Sequence, residues 1–378
     1  MNTPEHTSPD FLSRCYAGRR VLVTGDTGFK GSWLSLWLHE LGAQVTGTAL
    51  PSQTEPSHFR LVGLDTLIRH IDADIRSQEA LENVFQLAKP QIVFHLAAQA
   101  LVRDSYADPK ATFDINIGGT VNVLEAVRRC PGVKAVVVVT SDKCYENQEW
   151  VWGYRESDPL GGHDPYSASK GAVEIVASAY RRSYFDREGL GPHLGLATAR
   201  AGNVIGGGDW AKDRIIPDCV RALSAGEPIV LRNPHSTRPW QHVLDPLAGY
   251  LLLAARLLEN PGAYSGAWNF GPRATDQITV RELAERFTQA WGQGVVEVQQ
   301  TEQQQPHEAH LLNLNTDKAA FALHWHPVLE SIDAIDWTVE WYKSWREHAG
   351  HPRDLSVRQI REFQKQCSMT KKDLLEAP

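Results

Sequence analysis

Short apolar runs and helical patterns alternate regularly between residues 20 and 200. Arg20–Thr24 is an apolar run that ends at a glycine-rich turn, which is typical of a buried parallel strand. Ser32–Leu41 carries apolar residues at helical spacing, and Gly42 stands where a helix C-terminal cap is common. Further strands are predicted at Gln44–Thr48, Ile71–Ile75, Ile92–Leu96 and Ala135–Thr140, and further helices at about 77–88, 110–130 and 166–185. This alternation predicts an α/β fold built on a doubly wound parallel sheet.

The alternation stops after Arg200. The stretch AGNVIGGGDWAKDR is rich in glycine and polar residues and predicts a loop with a binding role. An apolar helix is predicted at Asp245–Leu258 and a short strand at Ala267–Phe270. Thr279 and Glu282 have the spacing of a capping box that opens another helix, and residues 330–347 predict a tryptophan-rich amphipathic helix.

These patterns predict two domains of unequal size. Residues 14–200 together with about 240–274 form the larger, nucleotide-binding domain. Residues from about 201 to 239 together with 275–347 form a smaller, discontinuous C-terminal substrate-binding domain. Residues 348–378 are predicted to be a polar, mobile tail.

The composition is that of an ordinary globular protein and argues against several function classes. Of 378 residues, 42% are hydrophobic and 22% are charged, and the net charge of −7 argues against general nucleic-acid binding. No apolar run approaches the roughly 18 residues of a membrane span, and MNTPEHTSPD lacks the features of a signal peptide. Five cysteines without paired spacing predict neither a disulfide framework nor a zinc site. We therefore expect a cytoplasmic, metal-independent protein that acts on a small molecule.

The turn after the first strand predicts a dinucleotide site. In TGDTGFKGSW, Gly25, Gly28 and Gly31 follow a strand and open a helix, so backbone N–H groups can face a pyrophosphate. Asp26 and Lys30 put charge into this turn. A carboxylate there repels a pyrophosphate unless it points to solvent, pairs with Lys30 or accepts bonds from backbone N–H groups.

Two later segments extend this site. Asp74, followed by Ile75, is placed at the end of the predicted 71–75 strand, where its carboxylate can accept a bond from an adenine amino group. HLAAQ at 95–99 supplies small residues after another strand, where the chain can pass close to a ligand. The end of the second strand carries neither the acid typical of NAD binding nor a base for a 2′-phosphate, so these residues leave NAD and NADP open.

The segment YSASK predicts proton chemistry. Tyr166 and Lys170 are four residues apart and share one helix face. An ammonium group beside a phenol favours the phenolate, which can take a proton from a sugar hydroxyl while hydride leaves the same carbon. A Tyr/Lys pair at this spacing is also common on ordinary helix surfaces.

Polar residues end the strand at Ala135–Thr140. Ser141 stands where it can hydrogen-bond a substrate hydroxyl beside Tyr166. Asp142 and Lys143 are not needed for exchange between ketone and alcohol, but they suit elimination of water, in which one group protonates a leaving hydroxyl and another removes a proton next to a carbonyl. The alternative is a solvated ion pair in a loop.

Together these motifs resemble the extended short-chain dehydrogenase/reductase superfamily, whose fold is Rossmann-like. TGDTGFKG, DADI, HLAAQ, the strand ending at Ser141 and YSASK follow the order expected there. Segments of the second half, among them RAGNVIGGGDWAKDRIIPD and RPWQHVLDPLAGY, resemble the group of 4,6-dehydratases that act on CDP-glucose. The resemblance covers about residues 14–345 and so includes both predicted domains.

The resemblance implies tightly held NAD⁺, recycled within each turnover, and a nucleotide-sugar substrate, CDP-glucose. It implies that Tyr166 takes the proton of the sugar 4-hydroxyl and that Asp142 protonates the departing 6-hydroxyl. In dTDP-glucose and GDP-mannose dehydratases a glutamate follows the aspartate and removes the C5 proton, whereas this chain has Lys143. Lys143 is that base only if its pKa is lowered; otherwise it holds a water or the enolate.

The resemblance also implies which residues bind each ligand, and it implies no metal. The implied cofactor-binding residues are Gly25, Asp26, Thr27, Gly28, Phe29, Lys30, Gly31, Asp74, Ile75, Leu96, Ala97, Ala98, Tyr166 and Lys170. The implied substrate-binding residues are Gln99, Asn203, Arg214, Arg232, Arg238, His307 and Glu308. Arginine suits this role because its guanidinium grips phosphate oxygens in a fork.

Two alternatives remain beside this interpretation. One is another nucleotide-sugar 4,6-dehydratase or a 4-epimerase of the same superfamily; an epimerase has no use for an acid–base pair after Ser141. The other is a non-catalytic NAD-binding scaffold, which has no need of Ser141, Tyr166 and Lys170. Superfamily members often dimerise through a four-helix bundle, so the helices at 110–130 and 166–185 predict a homodimer or a dimer of dimers.

Overall fold

A computed structural model of the chain describes residues 9–186, 194–299 and 311–376, with the backbone alone described for 9–10 and 369–376. The strands are β1 (Arg20–Thr24), β2 (Gln44–Ala49), β3 (Arg69–Asp72), β4 (Ile92–His95), β5 (Ala135–Val139), β6 (Gly195–Ala201), β7 (Val204–Ile205), β8 (Ile229–Leu231), β9 (Thr237–Arg238), β10 (Gln241–His242), β11 (Gly266–Phe270), β12 (Ile278–Thr279) and β13 (Val296–Val298). The helices are α1 (Pro9–Tyr16), α2 (Phe29–Glu40), α3 (His58–Leu61), α4 (Gln78–Ala88), α5 (Val102–Ala107), α6 (Pro109–Phe113), α7 (Gly119–Arg128), α8 (Pro165–Tyr180), α9 (Ile215–Ala225), α10 (Leu244–Glu259), α11 (Pro261–Tyr264), α12 (Val280–Trp291), α13 (Ser331–Arg346) and α14 (Pro352–Glu376).

Seven parallel strands form the central sheet, in the order β3-β2-β1-β4-β5-β6-β11. The strand order reverses at β1, because β2 lies on one side of it and β4 on the other. In open α/β sheets a ligand binds at such a switch point, beyond the carboxyl ends of the strands. The predicted Rossmann-like, doubly wound sheet is confirmed.

The two faces of the sheet bury separate apolar clusters. Val21 and Val23 point into one cluster with α2 and α10, while Leu22 points into the other with α4, α7 and α8. This alternation follows from the two-residue period of a strand, and it explains why β1 and β5 are nearly continuous apolar runs. Even α10, which is almost wholly buried, is too short or too polar to cross a membrane, and the same holds for every other helix in the described segments.

Several predicted elements differ from those observed. The third strand is β3, which ends at Asp72, so Asp74 and Ile75 lie beyond the strand and do not end it. The helix predicted at 110–130 is three pieces: α6, a π-helical turn at Asp114–Gly118, and α7. The capping box at Thr279 and Glu282 is confirmed, since both of its hydrogen bonds are present.

The prediction of a mobile tail after residue 348 is wrong. The segment forms α14, and Leu355, Ile360 and Phe363 are buried in the core. Ser356 lies within hydrogen-bonding distance of His58 Nε2, 3.0 Å away, and accepts a bond from the indole of Trp341, also at 3.0 Å. The prediction failed because the segment has a low average hydropathy. Its apolar residues nevertheless form one stripe at helical spacing, which packs against α2 and α13.

Residues after 200 contribute to two regions. Strand β11 pairs with β6 at the edge of the central sheet, and helix α10 packs against that sheet. The elements α9, α12, β8 and β13 pack on one another outside it. Beta strand β13 pairs in parallel with β8, and α12 contacts both α9 and α13. We propose that this outer group, with the 201–214 loop, corresponds to the substrate-binding domain predicted from the sequence.

Asp245 at the start of α10 predicts a pH-dependent stability. It is fully buried, its Oδ1 accepts a hydrogen bond from Val328 N at 2.6 Å, and burial raises its pKa to about 7. Because the folded-state pKa lies above the unfolded one, the free energy of unfolding falls as pH rises toward 7, by at most about 1.4 kcal/mol per pH unit.

Asp245→Asn removes that titration. We expect the difference in melting temperature between variant and wild type to grow in favour of the variant from pH 5 to pH 7 and to stay constant above pH 8. Thermal denaturation at several pH values measures it, with the exposed Glu227→Gln as the control. A difference that does not change with pH would contradict the assignment.

Candidate active site

The glycine turn after β1 is shaped for close approach of a ligand. Gly25 has a φ of +80°, and a Cβ there would lie 2.7 Å from Ala97 N. A Cβ on Gly31 would overlap the Gly25 carbonyl oxygen. Gly28 is the N-cap of α2 and provides no side-chain cap, so the first N–H groups of α2 are not occupied by one. The turn therefore presents a helix N-terminus of the kind that binds a pyrophosphate.

The neighbouring residues of the predicted cofactor site hold this turn in place. Thr27 donates a hydrogen bond to Leu50 O at 2.9 Å, and Phe29 begins α2. Leu96, Ala97 and Ala98 follow β4, and Ala97 N donates to Thr24 Oγ1 at 3.2 Å. The ends of β1, β2 and β4 thus meet around one turn, as the sequence predicts.

The carboxylate of Asp26 neither faces solvent nor pairs with Lys30. It is fully buried, and its Oδ2 is 2.7 Å from His70 Nδ1, whose other ring nitrogen is 3.2 Å from Asp72. Burial raises the pKa of Asp26 against the opposing effect of His70, while the Asp26 bond raises the pKa of His70. Its charge is therefore directed at His70 on β3.

Asp74 and Ile75 are adjacent in sequence, but the side chain of Asp74 pairs with an arginine and that of Ile75 is buried in the core. Arg76 donates to both carboxylate oxygens of Asp74, one of them at 2.9 Å, and lowers the pKa of Asp74. Ile75 is buried against Gly119, where a Cβ would overlap its side chain. The side chain of Ile75 therefore packs in the core, and its carbonyl accepts a bond from Asn122 at 3.0 Å.

The structure brings Ser141, Tyr166 and Lys170 together beyond the end of β5. A hydrogen bond with Ser141 lowers the pKa of Tyr166, but burial is the larger effect and raises it to about 12. Lys170 Nζ lies 5.9 Å from the Tyr166 ring centroid and donates to Val139 O at 3.4 Å. Burial lowers the pKa of Lys170 to about 8. The groups that lower the pKa of Tyr166 are Ser141 and Arg214, and burial outweighs them; the lowering by Lys170 expected from the sequence is not among these influences.

Asp142 and Lys143 lie in a single turn of 3₁₀ helix after Ser141. Ser141 donates to Asp142 Oδ1 at 2.9 Å, and Lys143 N donates back to Ser141 Oγ at 3.3 Å. Burial raises the pKa of Asp142, although the charges of Lys143 and Lys30 oppose that shift. A buried carboxyl with a raised pKa is suited to act as a proton donor; the solvated ion pair considered above does not describe this residue.

Lys30 extends from the glycine turn toward the predicted catalytic residues, which its place in the sequence did not suggest. Its Nζ lies 5.8 Å from the centroid of the Tyr250 ring. Burial lowers the pKa of Lys30 to about 7, and the nearby charges of Lys170 and Arg214 act in the same direction. Lys30 therefore places a titratable amine near Tyr250 and Asp142.

A residue absent from the sequence-based set, Asn116, links the two halves of the site. It lies in the π-helical turn and accepts a bond from Gln99 N at 2.8 Å. Its amide donates to Ser169 Oγ at 2.8 Å, on the same helix as Tyr166. The side chain of Gln99 itself donates to Leu101 O at 2.7 Å. Turns of π-helix often mark functional positions, so this turn draws attention to Asn116 once the structure is known. The sequence does not reveal the turn, and sequence reasoning therefore missed Asn116.

The predicted substrate residues other than Gln99 have different surroundings. Asn203 lies between β6 and β7 and accepts at its carbonyl from Gln241 N at 3.0 Å, while Arg238 on β9 donates to Thr237 O at 2.9 Å. Arg214 pairs with Asp209 at 2.9 Å and its charge acts on Tyr166. Arg232 is half exposed and 3.8 Å from Asp213. His307 and Glu308 lie outside the described residues.

The chain matches known proteins over most of its length. Residues 21–267 match the model of the NAD dependent epimerase/dehydratase family. The chain belongs to this family. It is 51% identical over 331 residues to a protein of Salmonella typhimurium named CDP-glucose 4,6-dehydratase, which covers 87% of this chain and 92% of that protein.

More distant relatives share the family and the fold. A dTDP-glucose 4,6-dehydratase of Streptomyces griseus is 28% identical over 86% of this chain and 96% of its own length. The solved structure of a UDP-glucose 4-epimerase of Thermus thermophilus in complex with NAD superposes with a TM-score of 0.72, at 26% identity, over 86% of this chain and 99% of that one. Dehydratases and epimerases thus share this scaffold, and site chemistry must separate them.

Proposed function

We propose that this protein is an NAD-dependent hydro-lyase that converts CDP-glucose to CDP-4-keto-6-deoxyglucose. The observation that carries the proposal is the buried Asp142, with its raised pKa, beside the Ser141, Tyr166 and Lys170 group. The 51% identity to the CDP-glucose 4,6-dehydratase of Salmonella typhimurium supports the choice of substrate.

The residues of the glycine turn fit NAD. The backbone of Gly25–Gly31 and the N-terminus of α2 would hold its pyrophosphate, and Tyr166 and Lys170 would hold its nicotinamide half. When bound, NAD takes a hydride from the sugar and later returns one. Asp26 directs its carboxylate at His70, and the N–H groups of Gly25 and Gly28 already donate to Thr48 O and Gly25 O, so the N–H groups in the first turn of α2 would be the main contacts for phosphate.

Tyr166 is the proposed base for the sugar 4-hydroxyl. Burial keeps the phenol protonated in this structure, so the base form needs positive charge nearby. Lys170 and Arg214 supply it from two sides, since Lys170 Nζ is 5.9 Å from the ring and Arg214 interacts electrostatically with the phenol. Ser141 then orients the substrate hydroxyl toward Tyr166.

Asp142 is the proposed acid for the elimination. Its buried carboxyl holds a proton more readily than a solvated one and can give it to the 6-hydroxyl as the C6–O bond breaks. Lys143, next in sequence in the same turn, is the proposed group that accepts the C5 proton or holds a water that does so. We further propose that Asn203, Arg214, Arg232 and Arg238 bind the CDP end, because guanidinium and amide donors match diphosphate oxygens.

Substrate profiling tests this function. The purified protein with NAD⁺ is incubated with CDP-, dTDP-, UDP- and GDP-sugars, and products are identified by mass spectrometry and NMR. We expect the 4-keto-6-deoxy sugar from CDP-glucose, with much less from the other nucleotides. Failure to dehydrate CDP-glucose would contradict the proposal. An epimerised sugar would favour a 4-epimerase, dehydration of another nucleotide sugar would favour a different dehydratase, and no turnover of any would favour a binding scaffold.

We also propose a homodimer formed through α7 and α8. Ile175 on α8 is 61% exposed, Tyr184 just after α8 is 48% exposed, and Phe113 at the end of α6, a few residues before α7, is 37% exposed, which is costly for apolar side chains facing water. Ile175→Arg should therefore shift the mass measured by light scattering toward the monomer. Phe321→Arg, at an apolar residue that is 86% exposed on another part of the surface, is the control. A dimer that persists in Ile175→Arg would argue against this interface.

A further inference from the structure

Tyr250 on α10 carries a buried hydroxyl that the mechanism above does not use. The side chain is fully buried, and its ring packs edge-on against Phe270 with centroids 5.6 Å apart. Within the described segments its Oη has no hydrogen-bond partner. Buried hydroxyls are normally hydrogen-bonded, so a buried hydroxyl without a partner near the proposed catalytic residues indicates that a ligand binds there.

The hydroxyl belongs to the catalytic group. Lys30 Nζ lies 5.8 Å from the Tyr250 ring centroid. After burial, the main influences on the Tyr250 phenol are the charges of Asp142 and Tyr166, and all three raise its pKa. Tyr250 is thus close enough to both residues to feel their charge, and it stays protonated. A protonated phenol is a hydrogen-bond donor at every pH at which the protein is folded.

Asp142, whose charge acts on Tyr250, has a second buried atom without a partner in the described part of the chain. Its Oδ1 accepts from Ser141, but Oδ2 has no partner among the described residues. A Cβ placed on Gly202 would lie 3.1 Å from this Oδ2 and 3.3 Å from Pro239 Cγ, so the glycine keeps open the space beside it. An oxygen that both donates and accepts hydrogen bonds, such as a hydroxyl or a water, would satisfy both atoms.

We propose that Tyr250 is a further catalytic residue, which with Asp142 holds the oxygen that leaves C6 as water. The inference rests on the proposed function. In the step, Asp142 gives its proton to the 6-hydroxyl oxygen and the C6–O bond breaks with its electrons on that oxygen. The C5 proton passes to Lys143 or its water, and the C5–H electrons form the C5=C6 double bond. Tyr250 donates a hydrogen bond to the departing oxygen and is unchanged at the end.

Tyr250→Phe tests this proposal, because the substitution should not destabilise the fold. Removing a hydroxyl that has no protein partner should leave the melting temperature unchanged or raise it. We expect the dehydration rate to fall by roughly 10- to 100-fold, as when one transition-state donor is lost. We also expect C4-oxidised sugar that still carries its 6-hydroxyl to accumulate in single turnovers.

Tyr16→Phe is the matched control, because Tyr16 Oη donates to Leu251 O at 2.7 Å on the same helix. It should lower stability and leave the turnover of folded enzyme unchanged. The inference fails if Tyr250→Phe dehydrates at the wild-type rate, if it slows C4 oxidation and dehydration equally, or if its loss of activity only follows a loss of stability or of NAD affinity. If the wild type does not dehydrate CDP-glucose, the proposed function fails first, and that result is seen before any variant is made.

Discussion

Replacing Tyr166 by phenylalanine should lower kcat for CDP-glucose by roughly 10²- to 10⁴-fold, since positioned general bases contribute about that much. The variant lacks only the phenolic oxygen, which hydrogen-bonds Ser141 and interacts with the charge of Arg214; the ring centroid lies 5.9 Å from Lys170 Nζ. Because burial raises the pKa of Tyr166 to about 12, the wild-type rate should rise with pH as the phenolate fraction grows, until the loss of the Asp142 proton slows dehydration. The residual rate of Tyr166→Phe should lack that slope.

Tyr180→Phe is the control for this prediction. Tyr180 lies on the same helix and donates to Glu125 Oε1 at 2.9 Å, away from the proposed site. Its loss should change stability slightly and leave the pH profile intact. Steady-state kinetics across pH, with thermal denaturation of each variant, make the comparison. If Tyr166→Phe kept most of the wild-type activity, Tyr166 would not be the base.

The architecture could be predicted from the sequence because its signals are local. Beta strand β5 is five consecutive buried apolar residues and α10 is apolar nearly all round, so period and composition alone indicate where they lie. The glycine turn could be predicted for the same reason, because spacing, strand and helix are all within one short segment.

What could not be predicted depends on tertiary contacts. Helix α14 has a polar average, and its buried stripe has meaning only because α2 and α13 provide a surface for it. The π-helical turn that aims Asn116 at Gln99 and Ser169 is one extra residue within a continuous helical pattern. No local rule distinguishes it from an ordinary helix.

The candidate site divides in the same way. Ser141, Asp142, Tyr166 and Lys170 stand in motifs, so the sequence points to them. Their neighbours come from elsewhere in the chain: His70 meets Asp26 across 44 residues, and Tyr250 reaches the site from α10. The pKa of Tyr166 depends mainly on burial, with smaller lowering effects from Ser141 and Arg214, and spacing along a helix reports none of these.

Asp142→Asn should separate the two halves of the reaction. The amide keeps the size and can still accept from Ser141, but it has no proton to give, so C4 oxidation should continue while loss of water slows by roughly 10²-fold or more. Burial raises the pKa of Asp142, and its active form is the protonated one, so wild-type dehydration should decline once pH exceeds that pKa. Asp142→Asn should show no such decline.

Single-turnover analysis decides between the possible roles of Asp142. Mass spectrometry distinguishes the 4-keto sugar that keeps its 6-hydroxyl from the 4-keto-6-deoxy product, and the ratio of their formation rates isolates the elimination. Glu146→Gln, an exposed acid in the same loop, should leave that ratio unchanged. Dehydration by Asp142→Asn at the wild-type rate would show that another group protonates the leaving hydroxyl. Equal slowing of both steps would mean that Asp142 positions Ser141 and gives no proton itself, because Ser141 donates its hydroxyl hydrogen to Asp142.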